Sequence, residues 1–206
     1  SNPGDILTSN INEKFTILDA GFLDKYFKIK RGPQIIPLKD IGSIITMTGI
    51  NKNSIVLEAG GGSGGLTCIL GHLCKKVYSY DIRDDFQEIV KKNIEFLGLK
   101  NVKIKKGSIY ENIKEREIDM ISLDCPEPWK AINTVNDALK IGGYIVSYSP
   151  TIIQTADMVN NMIDNFLHLK TIEITEREWE VIDRKVRPKS VGIGHSGFLS
   201  FFRKLS

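Results

Sequence analysis

This 206-residue sequence predicts an α/β fold on a mostly parallel, seven-stranded sheet, and three observations lead there. Strand-like runs alternate with helical patterns through residues 54–166, which calls for a parallel sheet covered by helices on both faces. Two further strand-like runs then follow with no helix between them, which suits an antiparallel hairpin rather than a parallel crossover. A glycine-rich loop joins the first strand of the series to its first helix, the setting in which such loops bind nucleotides.

Taken in order, residues 15–18 read as a short strand, and Gly32, Pro33 and Pro37 punctuate a boundary between residues 1–33 and residues 34–206. Asp40 is placed to cap a helix running to about Thr48. Strands follow at 54–58, 76–80, 102–106, 118–124 and 144–148. Helices at 64–74, 84–97, 129–140 and 151–166 come between or after them. Residues 168–181 and 197–203 make the closing pair.

Composition sets bounds on function. Apolar residues make up 41% and charged residues 26%, ordinary for a globular domain. No apolar run approaches the ~20 residues of a membrane span, and no charged start with an apolar core marks a signal peptide. The three cysteines, Cys68, Cys74 and Cys125, lack metal-ligand spacing, so no metal site is expected. Reduced core cysteines fit a cytoplasmic protein. The net charge of +3 is small, but three basic clusters stand out: Lys25, Lys28, Lys30 and Arg31; Lys100, Lys103, Lys105 and Lys106; Arg184, Lys185, Arg187 and Lys189. Beside a nucleotide-binding loop, they favour an anionic polymer as partner over three merely solvated faces.

The loop runs Glu58-Ala59-Gly60-Gly61-Gly62-Ser63-Gly64-Gly65. Its glycines allow sharp turning and close approach of a ligand. The spacing of Gly60, Gly62 and Gly65 also fits a dinucleotide fingerprint, so glycines alone do not separate NAD from S-adenosylmethionine. Asp81, after the second strand of the series, can accept from both ribose hydroxyls of either molecule. Glu58, two residues before the first glycine, can face the amino-acid end of S-adenosylmethionine. Glu58 and the closing hairpin favour the methyl donor, because dehydrogenase sheets usually end differently. The fold class is therefore Rossmann-like, of the class I methyltransferase kind.

Asp124 ends a hydrophobic strand, and ligands of open α/β sheets bind beyond strand carboxyl ends. A carboxylate there can accept from an exocyclic amine and offset positive charge. The alternative for Asp124 is a helix cap. Tyr148 ends the next strand and could stack on a flat base, or simply fill the core. His195 lies near the last strand, where a loop or core role competes with a catalytic one.

These runs carry a resemblance. Gln34-Ile35-Ile36-Pro37-Leu38-Lys39-Asp40-Ile41-Gly42, Val56-Leu57-Glu58-Ala59-Gly60 and Tyr80-Asp81-Ile82-Arg83 are joined by Leu123-Asp124 with Glu127-Pro128-Trp129-Lys130, Tyr148-Ser149-Pro150 with Gln154, Arg177-Glu178-Trp179-Glu180-Val181 and Gly194-His195-Ser196. Over residues 34–203 the chain resembles the tRNA adenine-N1 methyltransferases that modify the T-loop. The resemblance implies methyl transfer from S-adenosylmethionine to N1 of adenine in tRNA, at position 58 or at 57 and 58. It also implies a homotetramer. Gln34, Gly60, Ser63, Gly64 and Asp81 would line the cofactor site, joined on the motif's own terms by Glu58, Gly61, Gly62, Ile82 and Asp124. Asp124 would be the catalytic acid, with Tyr148 and His195 as further pocket residues. Residues 1–33 would be the remnant of a small N-terminal β domain and its linker. One departure is that Gly107-Ser108 stands where many methyltransferases place an acid for the cofactor's adenine. A same-fold enzyme acting on a small molecule, such as a corrin precursor, is the alternative.

Overall fold

The computed structural model describes residues 2–32, 35–111, 113–192 and 194–206. Two short strands open the chain, β1 (Ile6–Thr8) and β2 (Lys14–Thr16), paired antiparallel and exposed. Helices α1 (Phe22–Tyr26) and α2 (Leu38–Thr48) lead into the main series. That series is β3 (Ile55–Ala59), α3 (Gly65–Leu73), β4 (Lys76–Asp81), α4 (Asp84–Phe96), β5 (Val102–Lys106) and β6 (Ile118–Leu123). A single 3₁₀ turn at Pro128–Ala131 precedes α5 (Ile132–Ala138), β7 (Leu139–Ser149) and α6 (Ile152–Asn160). Last come β8 (Phe166–Glu173), β9 (Trp179–Ile182), β10 (Lys185–Pro188) and β11 (Phe198–Lys204).

Seven strands form one sheet in the order β5-β4-β3-β6-β7-β11-β8. The strands β3 to β7 run parallel, and β11 runs antiparallel to both of its neighbours, β7 and β8. Alternation along each strand explains the two-sided cover. Leu57, Ile121, Ile145 and Phe202 belong to one cluster, under α5 and α6. Their immediate neighbours Val56, Met120, Val146 and Phe201 belong to the other, under α2 and α3. Successive side chains point to opposite faces, so a strand apolar at every position needs a helical layer on each side.

Several boundaries differ from the sequence expectations, each for a physical reason. Asp40 is not the cap of α2: Pro37 holds that position, and Asp40 is a buried first-turn residue paired with Lys39 and Ser196. The helix expected at 129–140 is only a 3₁₀ turn plus α5, because Leu139 and Lys140 already belong to β7. Gly142, at φ +78, sits inside that strand rather than ending a helix. The helix expected to reach Phe166 stops at Asn160, and the Asn161 side chain donates to the Asp157 carbonyl. The long run 168–181 divides: β8 ends at Glu173 where its pairing with β11 ends, and Trp179 opens a separate hairpin with β10, turning at Asp183 with φ 49. No helix among the described residues is long and apolar enough to cross a membrane.

Candidate active site

Three parallel strands deliver their carboxyl ends to one place. β3 ends in Ala59, and the chain turns at Gly60 with φ +88. Only glycine fits there, since a Cβ would lie 1.8 Å from the Asp124 carbonyl oxygen at the end of β6. The Gly60 and Gly61 N–H groups donate to the Tyr80 carbonyl at 3.0 and 3.2 Å, and the Asp124 N–H donates to the Ala59 carbonyl at 2.9 Å. Asp81, the last residue of β4, accepts from the Gly62 N–H at 3.0 Å through one oxygen and from the Arg83 N–H at 2.9 Å through the other. Each carboxylate oxygen keeps a further lone pair.

A cavity of about 720 Å³ opens beyond these ends. Gly60, Gly62, Asp81, Ile82 and Asp124 line it, five of the predicted residues. Tyr80, Phe86, Ile109 and Tyr110 add an apolar and aromatic wall, and Ser108 lies among them. On the far side the Gln154 side chain donates to the Pro126 carbonyl at 3.1 Å. The Asp124 carboxylate has no hydrogen-bond partner among the described residues. Burial, reinforced by the charge of Asp81, pushes its pKa up to about 7.

The other predicted residues lie elsewhere. Glu58 is buried beneath the loop and accepts from the Thr67 hydroxyl. Burial raises its pKa to about 8 against the opposing pull of that bond. Gly61, Ser63 and Gly64 stand behind the cavity wall, Gly61 against Ser79 and Gly64 against Val90. Tyr148 belongs to the core cluster under α2 and α3, and its hydroxyl donates to the Ser196 carbonyl at 2.7 Å. His195 ties the end of β8 to the cavity rim. Its Nδ1 meets Glu173 at 2.6 Å and its Nε2 meets the carbonyl of Pro150 at 2.8 Å. Both partners offer acceptor oxygens, so the two contacts favour the doubly protonated ring. The Glu173 bond raises its pKa accordingly. Gln34 lies outside the described residues.

Sequence reasoning missed Tyr80, Phe86, Ile109 and Tyr110 as wall residues. Their signal was positional: each sits at, or within a few residues after, the carboxyl end of β4 or β5, where ligands of such sheets bind. Among the described residues no cluster of His, Cys, Asp or Glu could hold a metal ion.

Residues 27–200 match the family described as tRNA methyltransferase complex GCD14 subunit. The chain is 34% identical to the tRNA (adenine(57)-N(1)/adenine(58)-N(1))-methyltransferase of Methanocaldococcus jannaschii, over 96% of this chain and 81% of that protein. Among solved structures it superposes on a SAM-dependent O-methyltransferase of Thermotoga maritima with a TM-score of 0.90 at 27% identity, covering 99% of this chain and 78% of that one. It superposes on the tRNA (m1A58) methyltransferase of Aquifex aeolicus with a TM-score of 0.86 at 24% identity, covering 100% and 91%.

Proposed function

Because this chain belongs to the tRNA methyltransferase complex GCD14 subunit family, we propose that it is an S-adenosylmethionine-dependent methyltransferase acting on N1 of adenine in the tRNA T-loop. The observation that carries the reading is Asp124, a carboxylate without a hydrogen-bond partner among the described residues, in the same cavity as Asp81. The small-molecule alternative has less support, since the tRNA-modifying relative aligns with nearly the whole chain.

The residues fit the methyl donor. The cavity is within the ~300–1,000 Å³ usual for cofactor sites. S-adenosylmethionine, when bound, supplies a methyl carbon made electrophilic by its sulfonium. Asp81 would hold the ribose hydroxyls with its remaining lone pairs, and the glycine loop would leave room for close backbone approach. Tyr80, Phe86 and Ile109 offer flat and apolar surface to the cofactor's base. Ser108 would take the place of the acid that many methyltransferases use there.

Asp124 acts on the target base. N1 of adenine is hidden in a folded T-loop, so the base must swing out, at a cost of a few kcal/mol. Stacking and phosphate contacts offset this. The Asp124 carboxylate accepts from the exocyclic amine and offsets the positive charge that N1-methylation leaves. Catalysis is then positioning plus electrostatics. His195, Tyr148 and Ser196 shape the edge of the pocket at Pro150. We read position 58, with 57 as a second target, from the archaeal relative's range. The same reading takes the assembly as a homotetramer, its location as cytoplasmic, and residues 1–33 as belonging to a small N-terminal β domain and its linker. The test is methylation of unmodified tRNA transcripts followed by nucleoside mass spectrometry. Formation of 1-methyladenosine at 58 or 57 is expected; its absence, with S-adenosylhomocysteine still bound, would remove the tRNA assignment.

A further inference from the structure

Asn93 lies buried on the inner face of α4, and its amide makes three hydrogen bonds. The Lys30 N–H donates to Oδ1 at 2.8 Å, while Nδ2 donates to the Lys30 carbonyl at 2.8 Å and to the Ser63 carbonyl at 2.9 Å. One side chain thus grips the N-terminal segment and the glycine loop together. Val90 stands three positions earlier on the same helix face. A Cβ on Gly64 would meet its Cγ2 at 3.2 Å, so the loop is seated directly on α4.

The N-terminal segment lies against this loop. A Cβ on Gly32 would fall 3.4 Å from Ser63 Cβ and 3.5 Å from the Phe86 ring, and Phe86 is part of the cavity wall. A Cβ on Gly65 would fall 2.5 Å from Ile35 Cγ2. Ile29, just before residues 30–32, is itself buried. Asn93 therefore answers the buried Ser63 carbonyl together with both backbone polar groups of Lys30.

We propose that Asn93 is a positioning residue for the methyl-donor site, fastening residues 30–32 across the glycine loop so that closing this strap and filling the cavity favour each other. The proposal rests on the S-adenosylmethionine reading above. Asn93 touches neither the cavity nor the reacting atoms; it acts through Ser63, Gly32 and Phe86. Linkage is reciprocal: if the closed strap improves cofactor affinity, bound cofactor must hold the strap closed by the same factor.

The test uses the whole chain and S-adenosylhomocysteine. Trypsin cleavage after Lys30 and Arg31 reports strap opening, and calorimetric titration reports affinity. In the wild type, saturating ligand should slow this cleavage about tenfold, within the 5–150-fold range of coupled sites. Asn93→Ala should lose most of that protection and bind the ligand about tenfold more weakly, with KM for the methyl donor rising more than kcat falls. Equal cleavage with and without ligand in the wild type overturns the proposal without any variant. A folded Asn93→Ala protein with a lowered melting temperature but an unchanged protection ratio overturns it too, because Asn93 would then be structural only. A wild type that binds no S-adenosylhomocysteine removes the methyl-donor reading itself, and the proposal with it.

Discussion

Asp81 and Asp124 line one cavity but are held differently, and that difference assigns them different work. Asp81 is fixed by two backbone N–H groups, which suits a residue that must present its oxygens in one orientation. Asp124 has no such partner among the described residues, and burial holds its pKa near 7. Asp124→Asn keeps the shape and removes the charge, so single-turnover methylation of tRNA should slow by roughly 10²–10³-fold, the scale for losing one preorganised electrostatic group. Calorimetric affinity for S-adenosylhomocysteine should stay near the wild type. Asp81→Ala should do the reverse, weakening that affinity by about 1.5–3 kcal/mol. An Asp124→Asn enzyme at the parent rate would reduce Asp124 to a structural role. Both acids could be read from sequence because each ends a hydrophobic strand on the ligand-binding edge. Glu58 could be placed at its strand end as well, but not its orientation: the pleat turns it under the loop, onto Thr67.

At the scale of elements, the parallel strands were legible because each is a short apolar run between polar helices and glycine turns. Their limits failed where pairing rather than local sequence decides. Leu139 belongs to β7 because Ile118 pairs with it across the sheet, a partner no local pattern reveals. Asp40 shows the same effect within α2. Local chemistry marks it as a cap, yet Lys39 Nζ bonds Asp40, the Ile174 carbonyl and Ser196, and Ser196 Oγ returns a bond to Asp40. This cluster fastens the start of α2 to segments 156 residues away for Ser196 and 135 for Ile174. Both side chains are nearly buried, so removing one leaves a desolvated charge behind. Asp40→Ala should cost about 3–5 kcal/mol, at roughly 2–4 °C of melting temperature per kcal/mol. A loss under 1 kcal/mol in chemical denaturation would show that the cluster is solvated and weak.

At the scale of the whole molecule, charge placement matters more than net charge. In the cluster at 184–189, Lys185 and Arg187 both pair with Glu180, and Lys189 pairs with Glu178. Lys105 and Lys106 are likewise paired, with Glu115 and Asp84. Lys25, Lys28, Lys30 and Arg31 make no ion pair among the described residues. Replacing Lys28 and Arg31 by Gln should therefore weaken tRNA binding and flatten its salt dependence by about one unit of slope per charge lost, more than the same change at Lys185 and Arg187. Gel-shift titrations at several salt concentrations check this, and equal effects would remove the distinction. Stability against pH follows from the buried acids. Burial raises Glu58 to about 8 and Asp124 to about 7, so the folded chain keeps protons that the unfolded chain releases near pH 4. Their stabilising contribution is complete below the ordinary carboxylate range and is lost as pH rises through about 7 to 8. His195, raised by Glu173, has the same sign, losing its contribution as pH climbs through its folded-state pKa. Glu115, Asp85 and Glu180 are lowered, so they act only in acid. Between pH 5.5 and 8.5 Glu58 and Asp124 push the same way, and at about 1.4 kcal/mol per group per pH unit crossed the ligand-free protein should lose several kcal/mol. Thermal melts across that range should show a falling transition temperature, and Glu58→Gln with Asp124→Asn should flatten the profile. A transition temperature that holds level or climbs would mean that both acids are already ionised in the folded, ligand-free chain.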